Sequence, residues 1–157
     1  MLILRPMTDG EFDAYLAHLI PDYAREHVEA GSLSADDALE KAEGQVRRLL
    51  RDGPRTPDHY LYSLEDDADG SVVGILWFAR EDRGTGPQAF VYDIEIKPKF
   101  RRRGYASHAF RLLEERVREL GLSSIALHVF GHNQAARSMY SKLGYVETHV
   151  MMAKTLD

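Results

Sequence analysis

The sequence predicts an α/β fold: a mixed, mostly antiparallel central sheet of about six to seven strands with helices on both faces, in the order βααβββαβαβ. Three observations predict it. A strand, a long amphipathic helix and a second strand follow one another from Ala89 to Phe130. Ahead of them, the strand-like runs His59–Leu64 and Val72–Phe78 are split by an acidic, glycine-containing turn. Ahead of those, two helical stretches separate the hairpin from a short opening strand.

Each element has its own signal. Leu2–Arg5 is the apolar opening strand. Thr8 and Glu11 have the spacing of a capping box, in which each side chain accepts from the other residue's backbone N–H. The helix that follows carries Phe12, Tyr15, Leu16 and Leu19 on one face; Pro21 is expected to kink or end it, leaving Tyr23–Ala30 as a second segment. Ser34 and Asp37 repeat the capping-box spacing before a helix with Leu39, Ala42, Val46 and Leu49 on one stripe. Gly53-Pro54 stops that helix.

His59–Leu64 and Val72–Phe78 pair antiparallel around the turn Glu65–Gly70. A polar loop, Arg80–Pro87, leads to the strand Ala89–Ile96. After Gly104 comes the clearest helix, with Ala106, Ala109, Phe110, Leu113, Val117 and Leu120 on one stripe, ended by Gly121. Ser124–Phe130 alternates as a strand, so the unit is a right-handed crossover between parallel strands. A short helix, Gln134–Leu143, stops at Gly144, and Tyr145–Lys154 is expected to form the last strand.

The 157 residues suit one domain, 1–157. There is no cysteine, which excludes disulfides, thiolate metal sites and a cysteine nucleophile. The formal net charge of −5 argues against a nucleic-acid or membrane partner. No apolar run reaches membrane-spanning length and the N-terminus lacks a signal-peptide pattern, so a cytoplasmic location is expected. No metal is expected: His128 and His132 are four apart, but on a strand and loop rather than on one helical face.

Against the acidic background, five of the seven residues from Lys97 to Arg103 are Lys or Arg. They sit in the turn that opens the long helix. Unpaired N–H groups and the positive end of the macrodipole make such a turn a site for a phosphate-bearing ligand. Phe100 is the one aromatic residue in the cluster, which speaks against nucleic acid. The turn lacks a full Gly-x-Gly-x-x-Gly, and there is no Gly-Lys dipeptide, so dinucleotide and P-loop readings fail.

Two motifs here resemble those of the Gcn5-related N-acetyltransferase (GNAT) superfamily. Arg101-Arg102-Arg103-Gly104-Tyr105-Ala106 resembles its acyl-CoA signature. Asn133-Gln134-Ala135-Ala136-Arg137-Ser138-Met139-Tyr140-Ser141-Lys142-Leu143-Gly144-Tyr145 resembles its second signature. The likeness is close from Val72 to the C-terminus and extends only to element order before Leu64. Tyr92–Ile96 with Leu127–Asn133 looks like a bacterial subgroup of unassigned substrate. The resemblance implies a GNAT-like sheet and an acetyl-CoA-dependent N-acetyltransferase acting by direct transfer on a primary amine of a small molecule or peptide. A non-catalytic acyl-CoA sensor of the same fold is the alternative, and a homodimer is an assembly the sequence allows.

The resemblance also implies roles. Arg101, Arg102, Arg103, Gly104, Tyr105 and Ala106 would hold the pyrophosphate of acetyl-CoA. The backbone at Ile94 and Ile96 would pair with the pantetheine arm, and Asn133, an evident helix N-cap, would contact that arm or the acyl group. Tyr140 would protonate the leaving thiolate; it shares a helix face with Asn133, two turns away. Removing a proton from the amine needs a base. Asp93 and Glu95 share one face of their strand, provided no bulge separates them, and Glu95 is favoured. His128 is a third candidate, with an unperturbed pKa of about 6.5 suited to neutral pH, or else a structural histidine.

Overall fold

The structure, a computed structural model, describes all residues, 1–157. Its strands are β1 (Leu2–Pro6), β2 (His59–Asp66), β3 (Ser71–Asp82), β4 (Pro87–Ile96) and β5 (Ile125–Leu127). Its helices are α1 (Asp9–Glu29), α2 (Ala38–Leu49), α3 (Tyr105–Glu119) and α4 (Gln134–Lys142). The strands lie in chain order, antiparallel except for the parallel pair β4–β5. The sheet therefore has five strands rather than six or seven, because Tyr145–Lys154 forms none. No helix is long and apolar enough to cross a membrane.

Helices cover both faces, as the periodicities require. Ala109, Phe110, Leu113 and Val117 of α3 pack with Leu64, Leu76, Phe78 and Val91 on one face. Phe12, Tyr15, Leu16, Leu19 and Ile20 of α1 and Ala42 and Val46 of α2 pack with Leu61 and Trp77 on the other.

The first capping box forms: Glu11 N donates to Thr8 Oγ1 at 3.1 Å and Thr8 N to Glu11 Oε1 at 2.9 Å. The second does not. Asp37 is itself the N-cap of α2, makes no side-chain cap bond, and accepts from Ser34 Oγ at 2.8 Å instead. Pro21 neither kinks α1 into two segments nor ends it, and α1 continues to Glu29. Its buried stripe continues past the proline to Ala24, so packing on both sides of Pro21 outweighs the missing hydrogen bond, which costs about 3 kcal/mol.

Two irregularities shape the middle of the sheet. Trp77 faces Asp93 while its neighbour Phe78 faces Val91, so Tyr92 is the extra residue of a β-bulge. The bulge turns Tyr92 and Asp93 toward the same face: Tyr92 stacks on Trp77 with ring centroids 4.5 Å apart, and Asp93 meets α1. β5 is also shorter than the sequence suggests. It pairs with β4 only from Ala89 to Val91, and beyond that point Tyr92–Ile96 has no neighbour on its β5 side. The two strands open into a cleft.

Candidate active site

The cleft is bounded by β4, the turn after it, α1 and the start of α4. Its basic turn begins where Lys97 donates to Val73 O at 2.8 Å, ending β4. Arg101 Nε donates to Ile96 O at 2.9 Å, which ties the turn to the strand end. Arg102 and Gly104 adopt left-handed backbone, with φ of 63° and 80°. From Arg102 to Ser107 no backbone N–H has a partner within the protein. This row of donors, with three exposed arginines beside it, is built for an anion.

A Cβ on Gly104 would meet nothing within 4 Å, so glycine is required there for its backbone conformation rather than for space. Tyr105 and Ala106 contribute only backbone to this row: the Tyr105 hydroxyl donates to Asp66 Oδ2 at 2.7 Å, and Ala106 packs on the core. Ile94 and Ile96 point into that core as well, leaving only their backbone to the cleft.

On the other face, Asp93 and Glu95 lie side by side against α1. The Tyr15 hydroxyl donates to Asp93 Oδ2 at 2.7 Å, and His18 Nε2 lies 3.1 Å from Glu95 Oε2. Burial pushes the Asp93 carboxyl up to about 6; the Tyr15 hydrogen bond opposes this, and the charges of Glu95 and Glu26 add to it. Burial, then the neighbouring Asp93, also raises the Tyr15 phenol. Glu26, farther along α1, is raised mainly by burial.

Tyr140 arrives from the opposite face. Its ring packs edge-on to Phe110 and Tyr145, with centroids 5.8 and 5.9 Å away, and its hydroxyl has no partner within the protein. Burial raises its pKa, and the charges of Asp93 and Glu26 raise it further. The charge of Asp93 is therefore felt at Tyr140 although the two side chains belong to opposite faces. The separation of β4 from β5 permits this. Asn133 caps α4, its Oδ1 accepting from Ala136 N at 3.1 Å.

His128 stands apart. β5 ends at Leu127, and His128 is exposed, with its ring 4.9 Å from Phe130 and its charge felt by His27. Sequence reasoning missed Tyr15 and His18 as residues of the cleft. The signal for Tyr15 was present: a tyrosine on an apolar stripe buries a hydroxyl that needs a partner. Its partner, 78 positions away, was not.

Residues 16–145 match the acetyltransferase (GNAT) family. The uncharacterized N-acetyltransferase YycN of Bacillus subtilis (strain 168) is 37% identical over 155 residues, 99% of each chain. The crystal structure of YycN superposes with a TM-score of 0.92 over 99% of both chains. The uncharacterized N-acetyltransferase YdgE of the same strain is 33% identical, covering 98% of this chain and 97% of its own. AAC(6')-Iy, solved with the bisubstrate analog CoA-S-monomethyl-acetylneamine, shares the fold at a TM-score of 0.63 and 17% identity, over 100% of this chain and 99% of its own. With the motifs at the basic turn and at α4 in place, these matches establish that the chain belongs to the acetyltransferase (GNAT) family and is an N-acetyltransferase.

Proposed function

We propose that the enzyme transfers the acetyl group of acetyl-CoA directly to a primary amine of a small molecule or peptide, with Asp93 as general base and Tyr140 as general acid. The observation that carries this reading is the pair of groups bordering the opening between β4 and β5: a buried carboxyl, Asp93, raised to about 6, and a tyrosine, Tyr140, whose charge environment includes Asp93. The bisubstrate analog held by AAC(6')-Iy joins CoA to an aminoglycoside in that protein, which supports the same division of the cleft here.

The residues present fit acetyl-CoA. The free N–H groups from Arg102 to Ser107 and the charges of Arg101, Arg102 and Arg103 suit its pyrophosphate. A helix N-terminus contributes about 0.3–2 kcal/mol to an anion, and each charge-assisted hydrogen bond about 1.5–3 kcal/mol. The unpaired edge of Tyr92–Ile96 suits the amide-bearing pantetheine arm, which adds as a strand would. Asn133, the N-cap of α4, is the residue we assign to contact that arm. Acetyl-CoA supplies the activated thioester; the protein supplies position and protons.

An alkylammonium with a pKa of about 10.4 is roughly 0.1% neutral at pH 7.4. A base must take its proton. Asp93, raised to about 6, is a stronger base than an ordinary aspartate. The gain narrows the uphill transfer by about two pK units, or about 3 kcal/mol. Glu95 is the weaker choice because it is engaged with His18. With Glu26, it instead makes the acceptor side negative, which favours a cationic amine. A free N–H on the β4 edge offers a donor to the charge that develops on the acetyl oxygen. Tyr140, held protonated by its raised pKa and unencumbered by protein partners, donates to the departing thiolate.

Thiol release from acetyl-CoA against a panel of amines, amino acids and peptides tests this reading. Tyr140→Phe should lower turnover by ~10²–10⁴ while acetyl-CoA affinity stays within a few-fold. The loss should shrink with an acyl donor whose thiol is more acidic. Turnover within a factor of two of wild type would remove Tyr140 from the mechanism.

A further inference from the structure

Where the chain leaves β5 it meets the last turns of α1, and the two segments touch through rings. The ring of His27 stands edge-on to Phe130 and to Tyr23, with centroids 5.0 and 4.3 Å away. His132 stacks on Phe130 at 5.5 Å, the two planes 13° apart. These contacts join α1 to the segment between β5 and α4, beyond the point where β4 and β5 part. Tyr23, His27 and Phe130 are half-buried and His132 is exposed, so the cluster keeps ring surface open to a ligand. Burial, then the charge of His128, lowers the pKa of His27, and that ring is neutral at pH 8.

Glu26 belongs to the same stretch of α1 and has no partner in the protein. It is half-buried, and burial raises its pKa, with the charge of His132 the first effect opposing this. The cations nearest to it are engaged elsewhere: Arg25 pairs with Asp22, and His132 Nε2 faces Glu29 Oε2 at 3.6 Å. A half-buried carboxylate left unmatched costs stability and calls for a cation. Eleven residues, about three turns, separate Glu26 from Tyr15, so the two share the face of α1 that meets Asp93. The charge of Glu26 is felt at Asp93 and at Tyr140 as well. One carboxylate thus stands within electrostatic reach of both the reacting groups and His132 of the ring cluster.

We propose that Glu26, with the rings of Tyr23, His27, Phe130 and His132, forms a subsite for a second positive charge on the acceptor, so that the preferred substrate is a linear amine carrying two ammonium groups. A ring face attracts a cation within about 6 Å of its centroid, and a carboxylate beside the rings supplies the countercharge. The two ends of such a substrate need different things. The reacting amine has to lose its proton, which Asp93 takes. The distal amine stays protonated and has to be matched by a charge that the reaction does not use. Asp93 and Glu26 divide these tasks, and the rings offer apolar surface to the alkyl chain. An acceptor with a neutral distal end would leave Glu26 unmatched when bound. The inference rests on the proposed acetyl transfer to an amine and adds the class of that amine.

Thiol release measured with α,ω-diamines of four to eight carbons, and with amino alcohols of the same lengths, tests it. Each pair differs only in the distal group, ammonium against hydroxyl. At least one diamine should exceed its amino alcohol about tenfold in kcat/KM, and the ratio should fall as salt is raised. Glu26→Gln removes the charge and keeps the shape; it should bring that ratio to within about twofold. Phe130→Leu keeps an apolar side chain and removes the ring; it should lower the ratio about threefold. Calorimetric titration of the same diamine in the presence of CoA, which has no acetyl group to give, should show binding that weakens about tenfold in Glu26→Gln. Equal kcat/KM for diamine and amino alcohol at every length, or a diamine preference that survives Glu26→Gln, overturns the subsite and leaves the acetyl transfer standing. Diamine binding that depends on Glu26 without thiol release keeps the subsite and removes the chemistry. Neither binding nor turnover of any diamine overturns both.

Discussion

The Tyr15 hydroxyl donates a 2.7 Å hydrogen bond to Asp93 Oδ2, linking the buried stripe of α1 to the bulged strand at the mouth of the cleft. The bond opposes the effect of burial and keeps the Asp93 carboxyl from rising beyond about 6. Tyr15 thereby sets both the position and the basicity of the group assigned as base.

Tyr15→Phe should move the acid limb of the kcat/KM profile to higher pH. The bond favours the charged carboxylate, so its loss raises the pKa of Asp93 above about 6, and a base that must be deprotonated then becomes active later. The activity deficit should be larger at pH 6 than at pH 9. A pH–rate series on both proteins checks this; parallel profiles would show that Tyr15 does not tune the base.

Asp93→Asn should trade activity for stability. The folded pKa of about 6 lies above the usual 3.8, so the stability associated with Asp93 is full below pH 4 and is lost as pH rises through 6. The amide cannot ionise. The variant should gain about 1–3 kcal/mol over wild type at pH 8 and much less at pH 4. Turnover should fall ~10²–10⁴. Urea unfolding at the two pH values distinguishes this from a simple loss of the Tyr15 contact, which would destabilise at both.

Glu11 behaves in the opposite sense. It accepts from Arg5 at 2.8 and 2.9 Å, from Thr8 N and from Ser63 Oγ, and its pKa is lowered to about 2, chiefly by the Arg5 hydrogen bond. Its stabilisation is present above about pH 4.3 and is lost as pH falls through about 2. Glu11→Gln should cost about 1–2 kcal/mol at pH 7, a value reduced for its partial exposure, and progressively less in acid. Denaturation midpoints from pH 7 to pH 2 measure it.

Two glycines should fail for different reasons. A Cβ on Gly74 would sit 2.1 Å from the backbone oxygen of Glu95, so Gly74→Ala should push β3 away from β4 and cost about 2–4 kcal/mol. Gly104→Ala meets no atom but must hold φ of 80°, costing about 1–2 kcal/mol and disturbing the donor row. Chemical denaturation with acetyl-CoA titration separates them. The first should lose stability most. The second should lose affinity at a smaller cost in stability.

The sequence by itself determined whatever depends on neighbours a few residues apart. The Thr8–Glu11 box, the stripes of α1 and α3, the glycine that opens α3 and the Asn133 cap were all readable, because helix periodicity and capping bonds span one or two turns. The basic turn was readable too, as a local density of charge. Tertiary structure decided the rest. Pro21 stays inside α1 because a long buried stripe outweighs a local preference. Asp93 is raised to about 6 by burial, with the charges of Glu95 and Glu26 adding and the Tyr15 hydrogen bond opposing, and the bulge at Tyr92 turns it toward α1. The parting of β4 from β5 arises from a ladder that stops at Val91, and the charge of Asp93 is felt at Tyr140 although the two pack on opposite faces of the sheet. The last strand expected at Tyr145–Lys154 did not form, since a strand requires a paired neighbouring edge and this segment has none. Burial and charge at a site are sums over distant residues, and no spacing along the chain records them.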